Sequence, residues 1–132
     1  MALATATKVY ALFGEGDIPA IIALHADNSQ CLWMGDKGKQ EFDGPGNGFA
    51  GFAGGVLSRL ADEWPGFALH FDKHEVLIDA GNKCLLKIPA TLKEGMTTHF
   101  FHYYEVDDDG QVKVFYALDD GGAFALSRVA KA

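Results

Sequence analysis

The chain has 132 residues, 48% apolar and 22% charged, which suits a single globular domain with a core of its own. Acids outnumber bases 18 to 11 for a net charge of −7, and the bases are scattered, so nucleic acid and anionic membrane are excluded as partners. Cys31 and Cys84 lie far apart without a CxxC spacing, no signal-peptide pattern opens the sequence, and no apolar run is long enough to span a bilayer, so two separate thiols in a reducing, cytoplasmic protein are expected.

A first helix is expected over residues 5–13, with Val9, Leu12 and Phe13 on one stripe and Leu3 or Ala6 behind them. Gly14 and Gly16 end it. Asp17 is a short acceptor suited to cap a second helix that starts at Ile18-Pro19 and buries Ile18, Ile21, Ile22 and His25 before stopping at Asp27-Asn28. A short strand follows at residues 31–34, and residues 39–42 pair back on it. Phe49, Phe52, Ala53, Val56, Leu57, Leu60 and Trp64 recur at steps of three and four, the strongest helical stripe in the chain. Gly51, Gly54 and Gly55 each cost about 1 kcal/mol there relative to Ala, which close packing on a sheet would explain. Pro65-Gly66 stops this helix.

Residues 67–72 alternate and continue as a strand to Ile78. Residues 83–120 then read as a meander of three antiparallel strands split by two Gly-bearing turns. On its middle strand His99, Phe101 and Tyr103 point one way and Phe100, His102 and Tyr104 the other. Both faces are apolar, so helices cover one and a second copy of the chain is expected on the other, where His99, Phe101, Tyr103, Val114, Tyr116 and Leu118 lie. The tail after Gly121-Gly122 is a frayed end or a dimer contact.

This order of elements, with Gly16-Asp17, the Phe-x-Gly of Phe42 to Gly44 before the long helix, and the turn at Asp109-Gly110, resembles the NTF2-like superfamily in its SnoaL-like (polyketide cyclase-like) branch. The resemblance covers nearly all of the chain. It implies one α+β domain over residues 1–132: a cone in which a strongly curved, mostly antiparallel sheet wraps about three helices from the N-terminal half, with a hydrophobic small-molecule pocket in its mouth and sheet-to-sheet homodimers. Members include ketosteroid isomerases, limonene-epoxide hydrolases, scytalone dehydratases, polyketide cyclases and non-catalytic binders. Two functions are therefore implied side by side: a cofactor-free acid/base enzyme of isomerase, cyclase, dehydratase or hydrolase type on a compact apolar substrate, or a non-catalytic ligand-binding or accessory dimeric protein.

The ketosteroid isomerases carry a Tyr on the first helix, a carboxylate base on the first strand and a protonated Asp on the next-to-last strand. Counted onto this chain, those positions fall on Val9 (with Tyr10 beside it), Trp33 and His102. The base is missing, and proton abstraction needs one within reach of the substrate carbon. The cyclase branch places an Asp on the last strand, where the nearest acids are Asp119 and Asp120. Strand parity groups Asp119 with Phe115, Ala117 and the face of His102 and Tyr104, while a one-residue slip in the turn at 107–111 would exchange the faces. His102 with Asp119 is the candidate acid/base pair. The alternative is a histidine that only hydrogen-bonds a neighbour such as Tyr104.

Trp33, Phe49, Phe52, Phe100, Tyr104 and Phe115 are the candidate pocket lining, the alternative being plain core. No metal or organic cofactor is expected, because His70 and His74 lack suitably spaced acids or thiols. The GxGxxG match at residues 46–51 has no βαβ unit around it and is not read as a dinucleotide site. Asp107-Asp108-Asp109-Gly110 lacks the alternating acids of a calcium loop and reads as a tight turn.

Overall fold

The computed structural model describes residues 1–93, 95–120 and 124. The order is α1 (Ala2–Gly14), α2 (Ile18–Ala23), β1 (His25–Gly35), β2 (Gly38–Phe42), α3 (Gly48–Phe52), a π-helical turn (Ala53–Leu57), α4 (Ser58–Glu63), β3 (Ala68–Leu69), a 3₁₀ turn (Phe71–Lys73), β4 (Glu75–Ala80), β5 (Lys83–Lys93), β6 (Met96–Val106) and β7 (Val112–Asp119). The strands form one mixed, open sheet in the order β2-β1-β7-β6-β5-β3, with β4 also on β5. Only β1 and β7 run parallel among these pairs. This is the α+β cone expected from the sequence. No helix among the described residues is long and apolar enough to cross a membrane.

The meander pairs as parity predicts. His102 faces Ala117, Tyr104 faces Phe115 and Phe100 faces Asp119, while Phe101 faces Leu118 and Tyr103 faces Tyr116 on the other side. The first set points at the helices and is buried or nearly so, and the alternation continues into β5 with Cys84, Leu86, Ile88, Ala90 and Leu92 inside. Phe124 is fully buried against Trp64 and Phe100. The rest of the tail falls outside the described residues.

Two stretches differ from expectation. Asp17 caps α2 by accepting from Ala20 N at 3.1 Å, but the helix ends at Ala23 rather than near Asp27. There the His25 ring takes the Ile21 carbonyl (2.8 Å) and Val112 N takes the Leu24 carbonyl (2.8 Å), which draws the chain into β1 six residues early and leaves Ile22 exposed. The strand expected over 67–78 is broken by the 3₁₀ turn. Opposite the break stands Pro89 of β5: His70 N donates to its carbonyl at 2.8 Å, but proline has no N–H to return. The orphaned His70 carbonyl accepts from Lys73 N at 3.0 Å instead, which winds the turn.

The long helix is helical over 48–63, with the π turn in its middle. Gly48 is required because a Cβ there would meet the Ser29 carbonyl of β1 at 2.6 Å, and Gly55 because one would meet the Phe42 ring of β2 at 2.9 Å. Gly54 faces open space, and nothing in the structure explains it.

Candidate functional site

Between the helices and the concave side of the sheet lies an apolar cavity of about 40 Å³. Its buried floor includes Val9 and Tyr10 of α1, Trp33 of β1, Phe49, Phe52 and Leu60 of the long helix, and His102, Tyr104, Phe115 and Ala117 of the sheet. Its rim is the half-buried set Phe13, Leu57, Phe67, Leu69 and Phe71. Five of the six aromatic residues named from the sequence line it. Phe100 stands one layer back, fully buried and stacked on Trp33 at 5.2 Å.

Beside the Trp33 indole N–H, which is spent on Asp36, the side-chain polar atoms of this floor among the described residues belong to Tyr10, His102 and Tyr104. The Tyr10 hydroxyl lies 3.0 Å from His102 Nδ1, and the Tyr104 hydroxyl approaches that of Tyr10 without meeting hydrogen-bond geometry. Tyr104 Oη is thus buried with no partner, an arrangement that costs roughly 1–3 kcal/mol unless a guest or a water completes it. Burial pushes the His102 pKa down to about 3, so its ring is neutral at physiological pH. Burial likewise raises both phenols, which stay protonated. With the Tyr10 hydroxyl donating to Nδ1, the single ring proton of His102 is on Nε2. The floor can then offer hydrogen-bond donors to a carbonyl or hydroxyl oxygen but no charge. Among the described residues no Asp or Glu lines the cavity.

Asp119 faces inward, opposite Phe100, and does not hydrogen-bond His102 in this structure. The Thr98 hydroxyl lies 2.9 Å from Asp119 Oδ1 and 2.9 Å from Asp120 Oδ1, and Asp119 also accepts from Asp120 N (2.9 Å) and Phe124 N (3.4 Å). Among the described residues no group of three or more His, Cys, Asp or Glu could hold a metal ion. Asp107 closes its own turn by accepting from Asp109 N and Gln111 N, as tight-turn chemistry predicts.

No family model matches the sequence, and no curated protein matches it either. Solved structures do. An NTF2-like protein from Burkholderia pseudomallei superposes with a TM-score of 0.68 at 16% identity, covering 99% of this chain and 98% of that one. IdmH from Streptomyces antibioticus, a candidate polyketide cyclase, matches with a TM-score of 0.69 at 15% identity over 98% and 99% of the two chains. A steroid delta-isomerase from Pseudomonas aeruginosa matches with a TM-score of 0.63 at 17% identity over 98% and 92%. The chain has the NTF2-like fold.

The NTF2-like cone of this protein is closed beside Trp33 by a cluster that sequence reading missed. Asp36, 3% exposed in the β1–β2 turn, accepts from Trp33 Nε1 (3.3 Å) and Trp64 Nε1 (3.1 Å) and forms a two-pronged pair with Arg59 at 2.6 and 3.1 Å. Arg59 also reaches Glu63 (3.0 Å) and Gln40 (3.2 Å). Burial acts to raise the Asp36 pKa, but the Arg59 guanidinium and the two indole N–H groups outweigh it and hold the carboxyl below its usual range. The Trp33 ring lies over Gly35, where a Cβ would collide with it. In sequence Asp36 looks like any turn acid. The only available signal was a lone Arg between the apolar positions Val56 and Leu60.

Proposed function

We propose that this NTF2-like protein, of the SnoaL-like type, binds a compact apolar molecule that carries one carbonyl or hydroxyl oxygen, with that oxygen held by His102 and Tyr104 while the Tyr10 hydroxyl fixes the His102 ring. The observation that carries this reading is the buried, unpartnered Tyr104 hydroxyl beside the Tyr10–His102 pair at the floor of an otherwise apolar cavity. Trp33, Phe49, Phe52 and Phe115 supply apolar contact, and Phe100 backs Trp33. The test is a matched pair of probes, 1-acetonaphthalene and 1-ethylnaphthalene, followed by tryptophan fluorescence. The ketone should bind about tenfold tighter to the wild type, and Tyr104→Phe should erase most of that preference, since a hydrogen bond to a buried group is worth about 1 kcal/mol or more. Equal affinities in the wild type would sink the polar half of the proposal.

A second reading is a cofactor-free acid/base enzyme in which His102 and Asp119 act together. It is favoured by their common inward orientation on adjacent strands, and weakened because no carboxylate among the described residues lines the cavity itself. The same ketone incubated in D₂O separates the two. Proton exchange at its methyl group, lost in His102→Gln and Asp119→Asn, supports the enzyme; tight binding without exchange supports the binder.

The outer face of the sheet is read as the seat of a homodimer. Ile78, Leu85, Tyr103, Tyr116 and Leu32 are paired in one row straight across five strands, and Phe101, Leu118 and Met34 form the core of the next. Charged residues stand at the ends of these rows: Glu41 on β2 ends the first, and Lys39 with Glu75 and Lys87 flanks the second. An apolar centre with a charged rim is the anatomy of an interface, of roughly 800 Å² per partner or more. Sedimentation at micromolar concentration should show a dimer, and Phe101→Glu should give a folded monomer. A monomeric wild type would refute this.

A further inference from the structure

We propose that Phe71 is the gate of the cavity: the 3₁₀ turn Phe71–Lys73 swings outward to admit the guest, and the Phe71 ring limits how fast and how large a guest enters. The inference rests on the reading of the cone as a ligand site. A cavity of about 40 Å³ has room for two or three waters, far short of the several hundred Å³ that a compact organic molecule fills, so part of its wall must move.

The rim shows which part. Phe13 and Leu57 sit on helices, and Phe67 and Leu69 flank or belong to β3, which is paired to β5. Phe71 sits on the 3₁₀ turn, at the gap in the sheet edge opposite Pro89, where the ladder loses a bond because proline has no N–H. Asp72 and Lys73 beyond it are exposed, as are all six residues of β4.

The ring itself covers the polar floor. Phe71 stacks on Tyr10 at 4.3 Å and 15°, over the residue whose hydroxyl meets His102, and Phe13 packs edge-on against it at 5.5 Å. A histidine hydrogen bond pins the turn at each end. The His70 ring pairs with Thr91 Oγ1 at 2.9 Å, and the His74 Nδ1–H donates to the Phe71 carbonyl at 2.7 Å. Among the described residues the backbone of the turn is tied to the sheet by His70 N to the Pro89 carbonyl (2.8 Å), while Lys73 N to the His70 carbonyl (3.0 Å) and His74 N to the Phe71 carbonyl (3.3 Å) are internal to the turn and travel with it.

The experiment is stopped-flow association of the neutral fluorescent probe N-phenyl-1-naphthylamine, with 1-acetonaphthalene as competitor. The association rate should rise at least about tenfold in Phe71→Ala, rise less in Phe71→Leu, and fall in Phe71→Trp, because the door and not diffusion limits entry. Phe71→Leu keeps the site apolar and decides the matter should the alanine variant fold poorly. Equal rates in the wild type and the leucine and tryptophan variants overturn the gate and leave the ligand site standing. No saturable binding to any of them overturns both.

Discussion

Lowering the pH from 7.5 to 5 should cost the fold about 4 kcal/mol. Two buried histidines carry this expectation. His102 is 3% exposed and His25 is 6% exposed, and burial pushes their pKa values down to about 3 and about 4. Both are neutral in the native state at pH 5, whereas in the unfolded chain each binds a proton below about 6.5. The unfolded state gains protons first, so stability is complete above pH 6.5 and falls as the pH drops toward the folded values. At pH 5 the difference is about 1.5 pH units for each ring, or about 2 kcal/mol each. That is a large share of a typical domain's 5–15 kcal/mol. Urea midpoints at pH 7.5, 6.5, 5.5 and 5 measure it. Replacing His102 with Phe should remove about half of the pH-dependent loss whatever it does to stability at pH 7.5. A midpoint flat down to pH 5 would show that the rings are solvated.

Removing the Asp36 carboxylate should be the most damaging single change outside the sheet, at about 3–5 kcal/mol for Asp36→Ala. The variant takes from the Arg59 guanidinium, whose side chain is 16% exposed, its two-pronged partner, leaving it Glu63 and Gln40, and leaves the indole N–H groups of Trp33 and Trp64 without this acceptor. Asp36→Asn keeps an acceptor oxygen but turns an amide N–H₂ toward a donor, so it should fall between alanine and wild type. The Asp36→Ala, Arg59→Met double variant should cost less than the sum of the two single changes, because it removes both charges together. The carboxyl is held below its usual range, so its contribution is present above about pH 4 and is lost as the pH falls below that, a lower window than the one in which the histidine-linked loss begins. A loss within about 0.5 kcal/mol for Asp36→Ala would place the cluster among ordinary surface ion pairs.

The two clusters connect stability to the site. Asp36 holds Trp33 in the cavity wall, and His102 forms the floor, so variants of either must be checked for folding before a change in binding is assigned to lost contacts.

What the sequence by itself determined was set by local periodicity. The faces of the meander follow from two-residue alternation, so Phe100, His102, Tyr104, Phe115, Ala117 and Asp119 could be grouped before any coordinate was known. The cap at Asp17 and the stripe of the long helix are local in the same sense. Other features depended on partners distant in the chain. The count from the resemblance falls on Val9 with Tyr10 beside it, and only the fold shows that Tyr10 is the one that reaches across to His102, ninety-two residues on. Asp36 looked like a turn residue because Arg59 and Trp64 arrive from another element. The break at Phe71 was invisible in its own alternating pattern, because its cause is the missing N–H of Pro89 on the neighbouring strand. Polar geometry of this kind is decided by which backbones and side chains are brought within about 3 Å, and only the tertiary structure sets those distances.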